Sequence, residues 1–526
     1  MSRRKAFLLK LLVYLFFLNS ISFFIYLSHY KSEKNPSFII ENHTKLPLLE
    51  EEKKKNSSFL KGKSWPILPS YSPWNLNPNV RVQSCEGYFG SGFNKKIDLL
   101  IRSPEIHRGG GSSSSANLGG GGGGWFRCFY SETLESSICE GGRVRMNIDR
   151  ISMSMGGENL EIVIGRGEEE ELPTFEPGSF EIEADNDQRV NGNKLVSQEF
   201  LDQFVPEGVV VRHTMRSLLD SIRLVNSEEF KCSQWVEEPI LLITRFEYAN
   251  LFHTITDWYS AYAASRVTGV PTRPHLVFLD GHCKSQLEET WNALFSSLTY
   301  AKNFSGSVCF RHVILSPLGY ETAVFKGLTE VINCKGAEAH SLWQNPNDLK
   351  TARLTEFGEM IRASFGLPLE EIRVQKSQVP RHNVLFVRRE DYFAHPRHDG
   401  RVESRLSNEQ EVFDSLKVWI DNNSFGCEVN LVNGLFAHMH MKEQVRAIQD
   451  ASVIIGAHGA GLTHIVAAAP KAIILEIISS YFRRPHFALI SQWRGLEYHA
   501  INLDGSSADP DVVIGHLRQI LGSLGC

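Results

Sequence analysis

The sequence predicts an α/β protein: two Rossmann-like, doubly wound units face a cleft and follow an N-terminal membrane anchor and stem. Three observations predict it. From about residue 209, short apolar runs alternate with stretches of helical period, as in a parallel sheet with crossover helices. The run AIILEII at 472–478 is apolar almost throughout, as a strand covered on both faces requires. Only 11–27 is apolar enough to span a bilayer, and it follows Arg3, Arg4, Lys5 and Lys10.

In order along the chain, residues 1–10 read as a cytosolic tail and 11–30 as a retained signal anchor. Positive charge precedes the apolar run, and no good small-x-small cleavage site follows near 28–31. A cleavable signal peptide is the competing reading. Residues 31–80 are polar, with EEEKKK at 50–55, and read as an exposed stem. Residues 81–208 form an N-terminal lumenal region. Its Gly/Ser-rich insertion at 109–124 reads as a flexible loop, since no strand precedes it and no Lys-Ser/Thr closes it. Residues 209–379 hold the first Rossmann-like unit, with strands at 240–243, 276–279 and 308–315 and helices at 251–266, 287–298 and 349–365. Residues 380–526 hold the second. Its strands are expected at 383–387, 428–432, 452–456, 472–478 and 498–503, and its helices at 408–420, 442–451, 486–493 and 512–521.

The 526 residues suffice for about three domains. Lys and Arg number 55 and Asp and Glu 60, a net charge of −5, so there is no global footprint of a nucleic-acid binder. A hydrophobic content of 42% argues against wholesale disorder. Nine cysteines stand at 85, 128, 139, 232, 283, 309, 334, 427 and 526, with no CxxC pair, against zinc-ribbon and thioredoxin readings. Their scatter suits buried thiols or a few long-range disulfides, and the odd count leaves a thiol unpaired. Asn42, Asn56, Asn303 and Asn422 begin glycosylation sequons, consistent with a lumenal body.

The segment with most chemistry is VIIGAHGAGLTHI at 453–465. A strand ends at Gly456, a Gly-rich loop carries His458, Gly459, Ala460 and Gly461, and a helix starts near Leu462. Such a loop offers backbone N–H groups and a helix N-terminus to a diphosphate. Neither GxGxxG nor GxxxxGKS/T occurs. A bland Gly-rich turn, with His458 satisfied by backbone, is the alternative. Glu476, a carboxylate in an apolar strand, needs a ribose hydroxyl or a nearby arginine as partner. Arg388 and Arg389 close the strand NVLFV, where one could clamp a phosphate and the other face solvent.

In the first unit Asn250, His253 and Asp257 fall at i, i+3 and i+7 on one helical face. His and Asp suit general-base work; a polar network capping the helix is the alternative. Asp280 and His282 end LVFLDGH, and Asp185/Asp187 and Asp509/Asp511 are further Asp-x-Asp matches. Asp280 is expected to be structural and Asp509 a helix N-cap, with no catalytic metal.

The segments NLFHTITDW (250–258), VRRE (387–390) and GAHGAGLTHI (456–465), together with the anchor, resemble glycosyltransferase family 61. SCEGYFGSGF (84–93), FEPGSF (175–180) and FLDGH (278–282) resemble its N-glycan-modifying branch. The resemblance covers about 85–526. It implies a GT-B-like pair of domains, acceptor side first and nucleotide-sugar side second, with no obligatory metal or cofactor. It implies UDP-xylose as donor and the core β-linked mannose of N-glycans on glycoproteins as acceptor, with inversion, in a type II Golgi membrane protein. It maps donor binding onto His458 to Gly461 with an arginine at 388 or 389, and the cleft onto Asn250, His253 and Asp257. Glu476 as ribose partner is an inference from sheet topology. A single displacement needs one base, with Asp257 favoured and His253 close behind. The alternatives are another UDP-sugar or acceptor, a metal-dependent transferase using Asp280 and His282, and a non-catalytic Golgi glycan-binding protein. A secreted hydrolase lacks a nucleophile elbow or carboxylate pair.

Overall fold

The structure, a computed structural model, describes residues 61–71, 73–74, 92–101, 123–132, 134–184, 193–208, 214–329, 333–334, 337–338, 353–369, 380–389 and 405–526. The expected tail, anchor and most of the stem lie outside them, as do Cys85, Asn42, Asn56, Asp185, Asp187 and most of the Gly/Ser insertion. Among the described residues no helix is long and apolar enough to cross a membrane. Asn303 and Asn422 are both exposed.

The fold is mixed α/β with several sheets. Its first part holds twelve main strands: Lys95–Leu100 (β1), Trp125–Ser131 (β2), Ser136–Gly142 (β3), Val144–Asn147 (β4), Phe180–Glu183 (β5), Arg223–Val225 (β6), Gln234–Val236 (β7), Ile240–Ile243 (β8), His275–Phe278 (β9), Leu298–Tyr300 (β10), Ser307–Phe310 (β11) and Val313–Leu315 (β12). One sheet has the order β1-β2-β3-β12-β8-β9-β10 and another β6-β5-β4-β11-β7. Strands β12, β8, β9 and β10 are parallel, while β1, β2 and β3 extend the same sheet antiparallel. Strands from the N-terminal region are thus built into the sheet of the following segment.

Two expected elements differ. The strand at 308–315 is two strands, because the chain bends at Arg311–His312 and passes from one sheet to the other. There the Arg311 N–H turns to donate to Val236 O. The helix at 287–298 stops at Leu294 and Leu298–Tyr300 becomes the edge strand β10. Phe295 is already extended at the helix end.

The second part matches the expected alternation. Strands Arg381–Val387 (β13), Glu428–Gly434 (β14), Val453–Ala457 (β15), Ile473–Ile478 (β16) and Glu497–Asn502 (β17) form one parallel sheet, order β14-β13-β15-β16-β17. Helices Glu409–Asn422 and Pro510–Ser523 pack on one face, against Val384, Phe386, Val453, Ile455 and Leu475. Helices Met441–Asp450 and His486–Arg494 pack on the other, against Leu385, Ile454 and Ile474. Covering both faces makes the strands continuously apolar. This strand order reverses between β13 and β15, so their carboxyl ends, Arg388–Arg389 and His458–Gly461, flank the topological switch point where such sheets bind ligands. The expected helix after the Gly-rich loop is a 3-10 run, Ala460–Ala467.

Among the described residues three disulfides close the fold: Cys128–Cys139 across β2 and β3, Cys232–Cys309, and Cys427–Cys526, which ties residue 526 to the start of β14. Cys283 is a free, buried thiol.

Helix Leu251–Val267 (α1) is buried along its whole length except at Phe252, His253 and Arg266. Residues 61–71 and 73–74 of the expected stem cover its far end. Arg266 lies over the rings of Trp65 and Tyr71, 3.8 and 4.6 Å from their centroids. Lys63 donates to Asn292 O and Phe295 O, and Trp65 Nε1 to Val270 O. The carboxylates of Glu356 and Glu359, on helix Leu354–Ser364 (α2), accept from Trp74 Nε1 (3.0 Å) and from both N–H and O–H of Ser70. The segment is therefore a strap across α1 and α2. Trp74, 2% exposed, is its deepest anchor, and Trp74→Ala should cost about 3–5 kcal/mol. Chemical denaturation of the chain begun at residue 61 would check this, and a chain begun at residue 76 should melt well below it.

Candidate active site

The first turn of α1 and the loop after β15 meet through the start of helix His486–Arg494. The ring of His486 stacks on Phe252, centroids 5.2 Å apart and planes 6° off parallel. It also lies 6.2 Å from the ring of His458. Histidines 253, 458 and 486 therefore come together from three elements far apart in sequence.

Asn250 caps α1, its side-chain oxygen accepting the Phe252 N–H at 3.0 Å. Its place is at the site, but its visible work is that of the helix cap. His253 is half-buried and shares a 2.7 Å hydrogen bond through Nδ1 with the Tyr320 hydroxyl. Burial holds its imidazole below the usual histidine range and the Arg484 charge adds to this, against the carboxylate of Glu247. Asp257 is fully enclosed. Its Oδ1 accepts the Gly319 N–H at 3.0 Å and its Oδ2 the Phe246 N–H at 3.4 Å. A Cβ on Gly319 would stand 2.6 Å from Oδ1, so only glycine lets that loop close on the carboxylate. Burial pushes the Asp257 carboxyl up to about 8.

Across the site, His458 donates or shares Nδ1 with Glu476 Oε1 at 2.5 Å, and Tyr498 O–H donates to Glu476 Oε2 at 2.6 Å. Glu476 is fully buried beneath His458, and both its oxygens are taken. The partner it needed is a histidine and a tyrosine of its own fold. The side chain of Arg389 crosses Gly459 so closely that a Cβ there would fall 1.8 Å from Nη1. Ala460 and Gly461 open the 3-10 run. Arg388 turns the other way. Its Nε donates to Glu409 at 2.8 Å and its Nη2 to Gln410 at 2.9 Å. The arginine set aside as solvent-facing is thus an ion-paired residue, and Arg389 lies at the loop.

Asp280 and His282 lie in a buried network around Arg245. Asp280 accepts from Arg245 Nη2 (2.7 Å), Nε (3.1 Å) and backbone N–H (2.8 Å). His282 pairs through Nδ1 with Glu171 (2.7 Å) and through Nε2 with Arg245 O (3.1 Å). The donor atoms a metal would need are in use. Asp509 caps the last helix, as expected. Tyr320, His486 and Tyr498 were not singled out by sequence: each stands alone, without a spacing that marks it.

The buried histidines set a pH dependence. His464, its Nε2 hydrogen-bonded to Gln444 Oε1 at 2.7 Å, is lowered by burial to about 3, and His486 to about 4, by burial first and neighbouring His458, Arg484 and His253 after it. A histidine with a lowered folded pKa lends stability that is complete above its unfolded value of about 6.5 and fades as pH falls toward the folded value. Asp257 works oppositely, its contribution fading as pH rises from about 4 through 8. Thermal melting should therefore drop as pH is taken from 6.5 to 5, where the loss at the two histidines exceeds the gain at Asp257. His464→Gln should flatten that acid limb, and Asp257→Asn should flatten the loss between pH 6 and 8.5.

The Glycosyltransferase 61 family model matches residues 198–475. Over the whole of both chains, the sequence is 56% identical to the β-1,2-xylosyltransferase of Arabidopsis thaliana. It is 61% identical to the β-1,2-xylosyltransferase RCN11 of Oryza sativa subsp. japonica, over 88% of this chain and 84% of that one. A more distant likeness, 22% over 52% of this chain and 45% of the other, is to the EGF domain-specific O-linked N-acetylglucosamine transferase of Gallus gallus. The chain belongs to glycosyltransferase family 61.

Proposed function

We propose that this chain is an inverting β-1,2-xylosyltransferase that moves xylose from UDP-xylose to the 2-hydroxyl of the core β-linked mannose of N-linked glycans. The structural observation that carries a transferase reading is the convergence of His253, His486 and His458 beside the sheet's switch point. The choice of sugar and of a β-1,2 linkage is supported by the two plant relatives, both named as β-1,2-xylosyltransferases.

The reaction is one displacement. The mannose 2-oxygen bonds to the anomeric carbon of xylose, the bond from that carbon to the diphosphate oxygen breaks, and UDP leaves with the electron pair. The hydroxyl proton passes to a base. We assign the base to His253 rather than to Asp257. His253 is half-buried, and burial favours its neutral form. The assignment takes Nδ1–H as the donor to the Tyr320 oxygen in that shared hydrogen bond, which leaves the lone pair on Nε2. Asp257 instead spends both oxygens on backbone N–H groups inside the fold. The leaving diphosphate falls to Arg389, His458 and the backbone of Gly459, Ala460 and Gly461, an oxyanion-type arrangement of fixed donors. Arg388 supports that strand end through Glu409.

The reading includes a GT-B-like arrangement, with acceptor-side residues from 209–379 and donor-side residues from 380–526. It also includes a type II Golgi membrane protein, held through 11–30. Three disulfides support an oxidising, lumenal setting for the body. No step is routed through a metal, and Asp280 and His282 serve the Arg245 network.

The test is a panel of UDP-sugars against defined N-glycans on the lumenal body, with EDTA present and mass spectrometry as readout. A pentose added only from UDP-xylose and only to an N-glycan core is expected. Transfer of another sugar would keep the chemistry and change the donor. Activity that needs manganese would remove the metal-free reading. A folded protein inactive under both conditions would favour a glycan-binding protein.

The base assignment has its own check. His253→Gln should lower kcat by about 10²–10⁴-fold. Asp257→Asn should lower melting temperature more than kcat. In the wild type the acid limb of kcat/KM should lie below the ordinary histidine value, because burial lowers the His253 pKa.

A further inference from the structure

Resting on the donor-site reading above, we propose that Glu476 and Tyr498 are positioning residues that hold His458 in register for the leaving diphosphate of the nucleotide sugar. The family match ends at residue 475, one short of Glu476. Strands β16 and β17 run parallel and adjacent, with Glu476 opposite Ala500 and Ile474 opposite Tyr498. A two-residue offset keeps Tyr498 on the same sheet face as Glu476, one step behind it. From there the phenol reaches forward to Oε2 at 2.6 Å, while His458 takes Oε1 at 2.5 Å.

A fully buried carboxylate is costly without partners, and here each oxygen has one. The order is phenol, carboxylate, imidazole. Burial, and then the Glu476 charge, drive the Tyr498 hydroxyl far above the usual tyrosine range, so it stays a donor at every working pH. With Nδ1–H given to Glu476, the tautomer and ring plane of His458 are set, as second partners set an imidazole elsewhere. Among the described residues Nε2 has no protein hydrogen bond. The ring is flanked by Phe487, centroids 5.0 Å apart, and by His486. The backbone continues directly into Gly459, over which Arg389 lies. Holding His458 still therefore also holds the loop that meets the phosphates.

The test compares wild type, Tyr498→Phe, Glu476→Gln, His458→Gln and the Tyr498→Phe/His458→Gln double variant, each as the full chain in detergent. UDP binding is read by calorimetry, with kcat and both KM values by transfer assay. Tyr498→Phe and His458→Gln should each weaken UDP binding about tenfold and raise donor KM, leaving acceptor KM unchanged. Glu476→Gln keeps an acceptor for Nδ1–H and should fall between wild type and His458→Gln. The double variant should bind UDP no more weakly than His458→Gln alone, because Tyr498 acts through His458. Equal UDP affinity in wild type, Tyr498→Phe and Glu476→Gln overturns the inference and leaves the donor reading standing. Additive losses in the double variant also overturn it, since a general packing role would give that. Failure of the wild type to bind UDP overturns the donor reading itself, and this inference with it.

Discussion

The burial of α1 is the constraint on which the rest depends. An ordinary surface helix keeps one polar face in water. This one is enclosed on all sides and leaves only Phe252, His253 and Arg266 partly open. Those three mark its two ends, thirteen residues or about 20 Å apart. At one end lies the candidate base with its aromatic neighbours. At the other, Trp65 and Tyr71 cover Arg266. Enclosure also explains Asp257: a polar side chain that deep must satisfy backbone donors, and it does so at Gly319 and Phe246. The helix is held by the sheet on one side, the strap on another and the 3-10 run of the Gly-rich loop on a third.

The FLDGH segment has a comparable structural logic. Arg245 is 1% exposed, and burial on its own would lower its pKa; the Asp280, Tyr300 and Glu288 groups outweigh that and keep it a cation. Its guanidinium stands 4.0 Å from the centre of the Phe278 ring. Asp280 is held below the usual carboxylate range, because Arg245 and His282 together outweigh the cost of its burial. Removing one member would strand its partners' charges in the interior, where such losses are large. The network joins the ends of β8 and β9 to Glu171 of the N-terminal region. It accounts for a motif that otherwise looks like a ligand set.

Sequence made the 380–526 sheet legible because covering both faces writes each strand as an unbroken apolar run. It hid the N-terminal strands for the opposite reason. Strand β3 reads SSICEGG, entirely buried, yet its composition is that of a loop. Its place comes from pairing with β2 and β12, the latter some 170 residues on, and no local pattern encodes that. Residues 61–74 read as stem by composition, although Trp65, Leu68 and Trp74 are apolar anchors set among prolines and serines. At the site, His458 and Arg389 could be found because a strand-loop-helix pattern points to them. The choice between His253 and Asp257 could not. Spacing puts both on one face, but a helix buried all round has no single outward face, and only the fold says which residue remains open.

The two candidate reacting histidines end in equivalent states by different means. Each is held through Nδ1, His253 by a phenol and His458 by a carboxylate that a second phenol secures. The partner's chemistry suits what each ring must do. A neutral phenol beside a half-buried imidazole adds no charge, so the ring remains a base. On the proposed donor reading, the carboxylate behind His458 holds its Nδ1–H inward and turns the rest of the imidazole to where the leaving phosphates would lie. Between them His486, held neutral by burial and stacked on Phe252, adds contact without charge. Positive charge at the meeting point comes from Arg389 over the Gly-rich loop and from Arg484 at the exposed rim. That distribution is what a displacement expelling a diphosphate requires: a proton acceptor on one side of the reacting carbon and fixed positive charge on the other.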